Sequence, residues 1–173
     1  MNQGLVTIRH ETVELTRLLK DSAKSVQALT QAKQQTLTFD LPSQPVYITG
    51  DPNRLIQVFN NLLHNATKFT GEGGHIGIAI IMEDAFAIVR IEDNGLGIEP
   101  LLLPHIFELF TQGQRSLGHS EGGLGLGLAL VQKLVKLHKG EITVISSGIN
   151  QGATFIVKLP RHLKKTALTE PYE

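Results

Sequence analysis

The sequence predicts an α/β domain, a two-layer sandwich with a mixed, mostly antiparallel sheet and helices packed on one face. Three observations carry that prediction. Residues 51–70 place apolar side chains at helical spacing behind a proline, and residues 122–139 end in a second such stretch. Two alternating apolar runs, "HIGIAIIM" and "AFAIVRIED", flank a tight turn near Glu83 and Asp84. Another pair, "EITVIS" and "ATFIVKLP", follows the last helical stretch. The chain has 173 residues, enough for one such domain with its own core.

From Thr12 to Gln35, Leu15, Leu18, Leu19, Val26 and Leu29 recur at roughly helical spacing, with Thr12 as the expected N-cap. "TLTFDL" and "VYITG" read as short strands joined by a turn that contains Pro42 and Pro45. Asp51 then caps a helix whose first residue is Pro52, a position where the missing N–H costs nothing. "GEGG" at 71–74 breaks the helix before the hairpin. In "EPLLLPHIFELF", Pro100 and Pro104 start one or two short helices. Residues 111–121 are polar and glycine-containing and read as a mobile loop. "GGLGLGLALVQKLV" runs into the final helix, which ends near Lys139 and Gly140.

Lys+Arg and Asp+Glu are both 16, so the formal charge is zero. That balance argues against a nucleic-acid binder or a polybasic membrane-surface protein. With no cysteines, disulfide scaffolds and thiolate metal sites are excluded. No apolar run reaches the ~20 residues of a membrane helix, and no signal-peptide pattern follows Met1. The expectation is a soluble, cytoplasmic domain that is monomeric in isolation, with no direct membrane insertion.

Three stretches could carry chemistry. Gln57, Asn61 and Asn65 are spaced four apart, with Lys68 three further on, so they share one helix face. Two asparagines four apart are poor helix formers. An amide oxygen suits Mg²⁺, which fills its shell with phosphate oxygens and water, and Lys68 offers a point charge to the same phosphates. A solvent-facing polar stripe would read the same way. "IEDNGLGI" runs a strand into a glycine loop, where Asp93 could accept from an exocyclic amine and Gly95 and Gly97 could admit a flat ligand. Asn94-Gly95 is equally a good hairpin pair. "GGLGLGL" is neither a Walker loop nor a dinucleotide fingerprint, since Leu128 stands where a third glycine is required. A helix start without Cβ atoms still suits a phosphate, and also suits close backbone packing. The seven histidines show no metal-ligand spacing, and His64 reads as a partly packed helix residue.

The order of "NNLLHNATKFT", "DNGLG", "IFELF", "GGLGLGL" and "GATF" resembles the ATP-binding domain of sensor histidine kinases. This is the kinase branch of the superfamily that includes gyrase, Hsp90 and MutL, and the resemblance implies its Bergerat-type fold. It implies Asn65 as the Mg²⁺ ligand, with Asn61 beside it and Lys68 on the phosphates, Asn61 and Lys68 being the catalytic pair. Asp93 would bind the adenine amine over a floor shaped by Gly95, Gly97 and Ile98. Phe107 and Phe110 would anchor a lid over ATP. Gly123, Gly125 and Gly127 would face the phosphates, with Leu124, Leu126 and Leu128 holding that turn. Thr154 in "GATF" would lie near Asp93.

The resemblance also implies partners: ATP or ADP, a dimerisation/phosphoacceptor domain, and a response-regulator receiver domain. Hydrolysing members carry a Glu at the position of Asn61, and an amide cannot take a proton from water. His10-Glu11 is followed by Thr12-Val13 rather than the family's acceptor box. Residues 1–11 therefore read as a linker from the dimerisation helix, 12–160 as the catalytic domain, and 161–173 as a tail or linker. A superfamily ATPase and an anti-sigma-type serine kinase or binding module are the alternatives.

Overall fold

The computed structural model describes residues 7–108 and 126–162. Its strands are β1 (Glu11–Glu14), β2 (Thr36–Asp40), β3 (Tyr47–Gly50), β4 (His75–Glu83), β5 (Phe86–Asp93), β6 (Glu141–Ile145) and β7 (Ala153–Pro160). The α-helices are α1 (Leu15–Lys24), α2 (Gln27–Ala32), α3 (Pro52–Phe69) and α4 (Leu126–Leu137). Where one or two short helices were expected, the described residues form one 3₁₀ turn, Leu103–His105.

Five strands form the main sheet in the order β2-β4-β5-β7-β6, and β1 pairs with β3 in a separate ribbon. Only β2 runs parallel to its neighbour, so the sheet is mixed and mostly antiparallel. Burial alternates along the central strands: Ile76, Ile78 and Ile80 on β4, Ala87, Val89 and Ile91 on β5, and Ala153, Phe155, Val157 and Leu159 on β7 are buried. These residues meet Leu55, Phe59, Leu62, Leu63, Leu134 and Val135 from α3 and α4 in one core. The helices thus cover one face of the sheet, as the two periodicities predict.

Three sequence expectations are corrected. Thr12 is no N-cap: it lies in β1 opposite Thr49, and the helix begins only at Leu15, whose N–H donates to the Val46 carbonyl. The single helix expected to Gln35 is broken near Ser25, whose hydroxyl donates to the Ser22 carbonyl in competition with the backbone ladder. "TLTFDL" and "VYITG" do not form a hairpin either. β2 joins β4 and β3 joins β1, so the proline-containing segment connects two sheets.

Helix α3 is fixed at both ends. At its start Asp51 Oδ1 accepts the N–H groups of Asn53 and Arg54, while Oδ2 accepts that of Arg9. Such a cap contributes about 1 kcal/mol. At its end the Lys33 ammonium donates to the carbonyls of Thr67, Lys68 and Thr70, and the Gln35 amide donates to those of Thr67 and Thr70. A cation there also complements the negative end of the helix dipole.

Candidate functional site

The far end of α3, the loop after β5 and the start of β7 converge. The Leu96 N–H donates to the Phe69 carbonyl at 2.9 Å, which ties the loop after Asp93 to the last turn of α3. A Cβ on Gly95 would collide with that same Phe69 carbonyl. Gly97 has φ +69° and faces the Gly148 carbonyl so closely that a Cβ would collide with it. At both positions glycine is required by neighbouring backbone, before any ligand is considered.

Asp93 ends β5 on the helix-covered face and is 8% exposed. Its Oδ1 accepts the Gly95 N–H at 2.9 Å. Burial raises its pKa above the ordinary carboxylate value, and the Glu92 charge adds to the rise, while the amides of Gly95 and Ala153 oppose it. A buried carboxylate with capacity to accept from an incoming N–H is suited to a neutral donor such as an exocyclic amine.

The α3 stripe is half-buried at Gln57, Asn61, Asn65 and Lys68, and His64 beside it is exposed. Gln57 accepts from Arg54, but the amides of Asn61 and Asn65 carry no hydrogen bond to any described residue. The Lys68 ammonium lies 5.3 Å from the Phe69 ring centroid, with no acidic partner among the described residues. Among the described residues no group of three or more His, Cys, Asp or Glu could hold a metal ion. A free amide oxygen with no carboxylate cage fits an ion that brings most of its shell with it as phosphate oxygens and water.

Phe107 packs edge-on against Phe155 of β7, with ring centroids 6.3 Å apart and planes at 82°. Ile98 and Leu128 are partly buried against the core. Gly127, in the first turn of α4, is exposed, and a Cβ there would meet nothing within 4 Å. Leu126 begins α4, but its side chain, together with Phe110, Gly123, Leu124, Gly125 and the expected lid at 111–121, lies outside the described residues.

Thr154 is not brought to Asp93. The register sets Ala153 opposite Asp93 and Thr154 opposite Glu92, and alternation turns Thr154 to the face away from the helices. The signal was available: counting back by two from Phe155 gives Ala153. Sequence reasoning also missed Ser146 and His138, whose hydrogen bonds depend on contacts distant in the chain.

A cavity of about 320 Å³ lined by Thr7, Ile8, Arg9, Asp51, Asn53 and Arg54 lies at the opposite end of α3. The N–H groups of Asn53 and Arg54 are already taken by Asp51, and that of Leu55 by the Asp51 carbonyl. That helix start therefore has no free amides to offer an anion.

Comparison with known proteins gives a consistent result. The family described as histidine kinase-, DNA gyrase B- and HSP90-like ATPase matches residues 50–163. Sensor histidine kinase RppB of Synechocystis sp. is 35% identical over 146 residues, covering 84% of this chain and 32% of its own length. Probable sensor histidine kinase TcrY of Mycobacterium tuberculosis is 40% identical over 149 residues, with 86% and 30% covered. Among solved structures, the mycobacterial sensor histidine kinase MprB aligns with TM-score 0.75 and 28% identity, covering 88% of this chain and 98% of that one. Full-length ShkA in complex with AMPPNP aligns with TM-score 0.79 and 28% identity, covering 91% and 32%. The chain thus spans about a third of the length of the curated relatives it matches.

Proposed function

Since the chain belongs to the family of histidine kinase-, DNA gyrase B- and HSP90-like ATPases, as a catalytic ATP-binding domain of the sensor histidine kinase type, we propose that it binds Mg²⁺-ATP and delivers the γ-phosphate to a histidine on a separate dimerisation domain. The observation that carries this reading is the pairing of a buried Asp93 at the base of one loop with two asparagine amides, unpartnered among the described residues, on the adjoining helix. One end of the site is suited to a purine and the other to a metal–phosphate group.

In this reading Asp93 accepts from the adenine amine, and Gly95, Gly97 and Ile98 form the floor beneath the base. Asn65 holds the metal through its amide oxygen, with Asn61 beside it. Magnesium, when bound, supplies neutralisation of phosphate charge. Lys68 leaves its Phe69 contact to add a second positive charge. Gly127, with open space where a side chain would stand, leaves the first turn of α4 accessible to a phosphate. Phosphoryl transfer needs positioning and charge neutralisation more than covalent work from the protein, and these residues provide both.

Asn61 sets transfer apart from hydrolysis. Its amide cannot accept a proton from water, so bound ATP persists until a histidine nitrogen is presented in line. That nitrogen forms a bond to the γ-phosphorus as the bond to the ADP oxygen breaks. The phosphoryl group then passes to a response-regulator receiver domain. We place this chemistry in the cytoplasm, with the isolated domain monomeric. Among the described residues, no helix is long and apolar enough to cross a membrane.

The test is transfer of labelled γ-phosphate from ATP to an added dimerisation domain, with the acid stability of the product measured. An acid-labile phosphohistidine is expected. An acid-stable product would favour a serine kinase, and steady phosphate release without transfer would favour an ATPase.

A further inference from the structure

The loop between β6 and β7 is fastened to the loop that follows Asp93. The Gly152 N–H donates to the Gly95 carbonyl at 3.1 Å, and the Asn150 N–H donates to the Leu96 carbonyl at 2.7 Å. The third bond comes from a side chain: the Ile98 N–H donates to Ser146 Oγ at 3.0 Å. The same hydroxyl donates its one proton to the Gly152 carbonyl at 2.7 Å and accepts the Gly148 N–H at 3.4 Å. Both lone pairs and the proton of Ser146 are therefore used, and its bonds span both loops.

We propose that Ser146 is a positioning residue for the nucleotide base, holding the 94–98 loop in its binding shape through the Ile98 amide. The inference rests on the reading of Asp93, Gly95, Gly97 and Ile98 as the base floor. Ser146 acts on the loop through Ile98, Gly148 and Gly152, and reaches the base only through them. Gly97 can sit against the Gly148 carbonyl only while the two loops stay closed together. Without the hydroxyl, the half-buried Ile98 amide and the buried Gly152 carbonyl lose a partner, and two main-chain bonds remain. A floor that is closed for only a fraction of the time lowers apparent affinity by that fraction. The α3 stripe makes none of these bonds, so the phosphate end is left unchanged.

The experiment is isothermal titration of the full chain with Mg²⁺-AMPPNP and, separately, with adenosine, which has no phosphates. Ser146→Ala is expected to weaken both ligands by the same factor, about tenfold. Ser146→Thr, which keeps the hydroxyl, is expected to restore binding. Equal affinity of Ser146→Ala and the wild-type chain overturns the inference while leaving the nucleotide reading intact. A wild-type chain that binds neither ligand overturns both. Should Ser146→Ala fold poorly, hydrogen exchange in the wild-type chain decides: a protected Ile98 amide without nucleotide supports the inference, and a freely exchanging one overturns it.

Discussion

The Nε2 of His138 accepts the backbone N–H of Asp51 at 3.0 Å, joining the end of α4 to the N-cap of α3. A backbone N–H can only donate, so Nε2 is the bare nitrogen and Nδ1 carries the proton it gives to the Leu134 carbonyl at 2.7 Å. The ring is 5% exposed and lies against Gly50, where a Cβ would come 2.7 Å from His138 Cδ2.

Replacing His138 with leucine leaves the Asp51 amide buried without a partner. Chemical denaturation should show a loss of about 1–3 kcal/mol. Asp51→Ala should cost about 1 kcal/mol through the lost cap. Because both changes act on one junction, the double variant should lose less than the sum.

The two perturbed carboxylates have opposite effects with pH. Asp51 is held below its ordinary pKa, first by the Arg9 amide, so its contribution is present at neutral pH and lost as pH falls through the depressed value. Asp93 is held above its ordinary value by burial, so its charged form costs stability as pH rises through the raised value. Asp93→Asn removes that cost and should raise the neutral-pH unfolding midpoint of the nucleotide-free chain. Adenosine binding should weaken in the same variant. Its advantage in stability should disappear below the ordinary carboxylate pKa.

Gly97 and Gly127 predict opposite outcomes for the same substitution. Gly97→Ala meets the Gly148 carbonyl and a positive φ, and should destabilise the chain by at least 1 kcal/mol. Gly127→Ala meets nothing and gains helix propensity, so it should stabilise by up to about 1 kcal/mol. If the first turn of α4 receives a phosphate, Gly127→Ala should nonetheless weaken AMPPNP binding, measured by titration.

Asn65→Ala should remove the Mg²⁺ dependence of the thermal shift produced by AMPPNP while changing the stability of the nucleotide-free chain by no more than about 0.5 kcal/mol. The side chain has no partner among the described residues, so its removal breaks no internal bond. A retained Mg²⁺ dependence would take Asn65 off the ligand list.

Much of the layered architecture was legible because it rests on periodicity. The alternation of β4, β5 and β7 and the cap of α3 are local properties, and they were read with their boundaries nearly correct. The β4–β5 hairpin was legible from its tight turn, but the partners of β2 and β3 were not. Nothing within "TLTFDL" or "VYITG" states that each will find a distant strand; around "VYITG", Val46 and Ile48 share one core with Val13 and Leu15 of the distant β1–α1 segment. In the candidate site, Asp93 and the asparagine stripe stood out because polar residues interrupt apolar patterns. Ser146 and His138 stayed hidden because a single hydroxyl or imidazole acquires meaning only from distant backbone groups. Thr154 was misplaced by one residue, which in a strand is a change of face.

Anchoring α3 at both ends makes it the fixed ruler of the site. With Asp51 clasped by Arg9 and His138 at one end, and the last carbonyls gripped by Lys33 and Gln35 at the other, neither end can shift without breaking several bonds at once. Accommodation of ligands of different size therefore falls to the parts that touch the ruler lightly. If the proposed nucleotide site holds, sequence drift in the 94–98 and 146–152 loops should retune which base is accepted, while the spacing of Asn61, Asn65 and Lys68 would stay a constant against which the phosphates are measured.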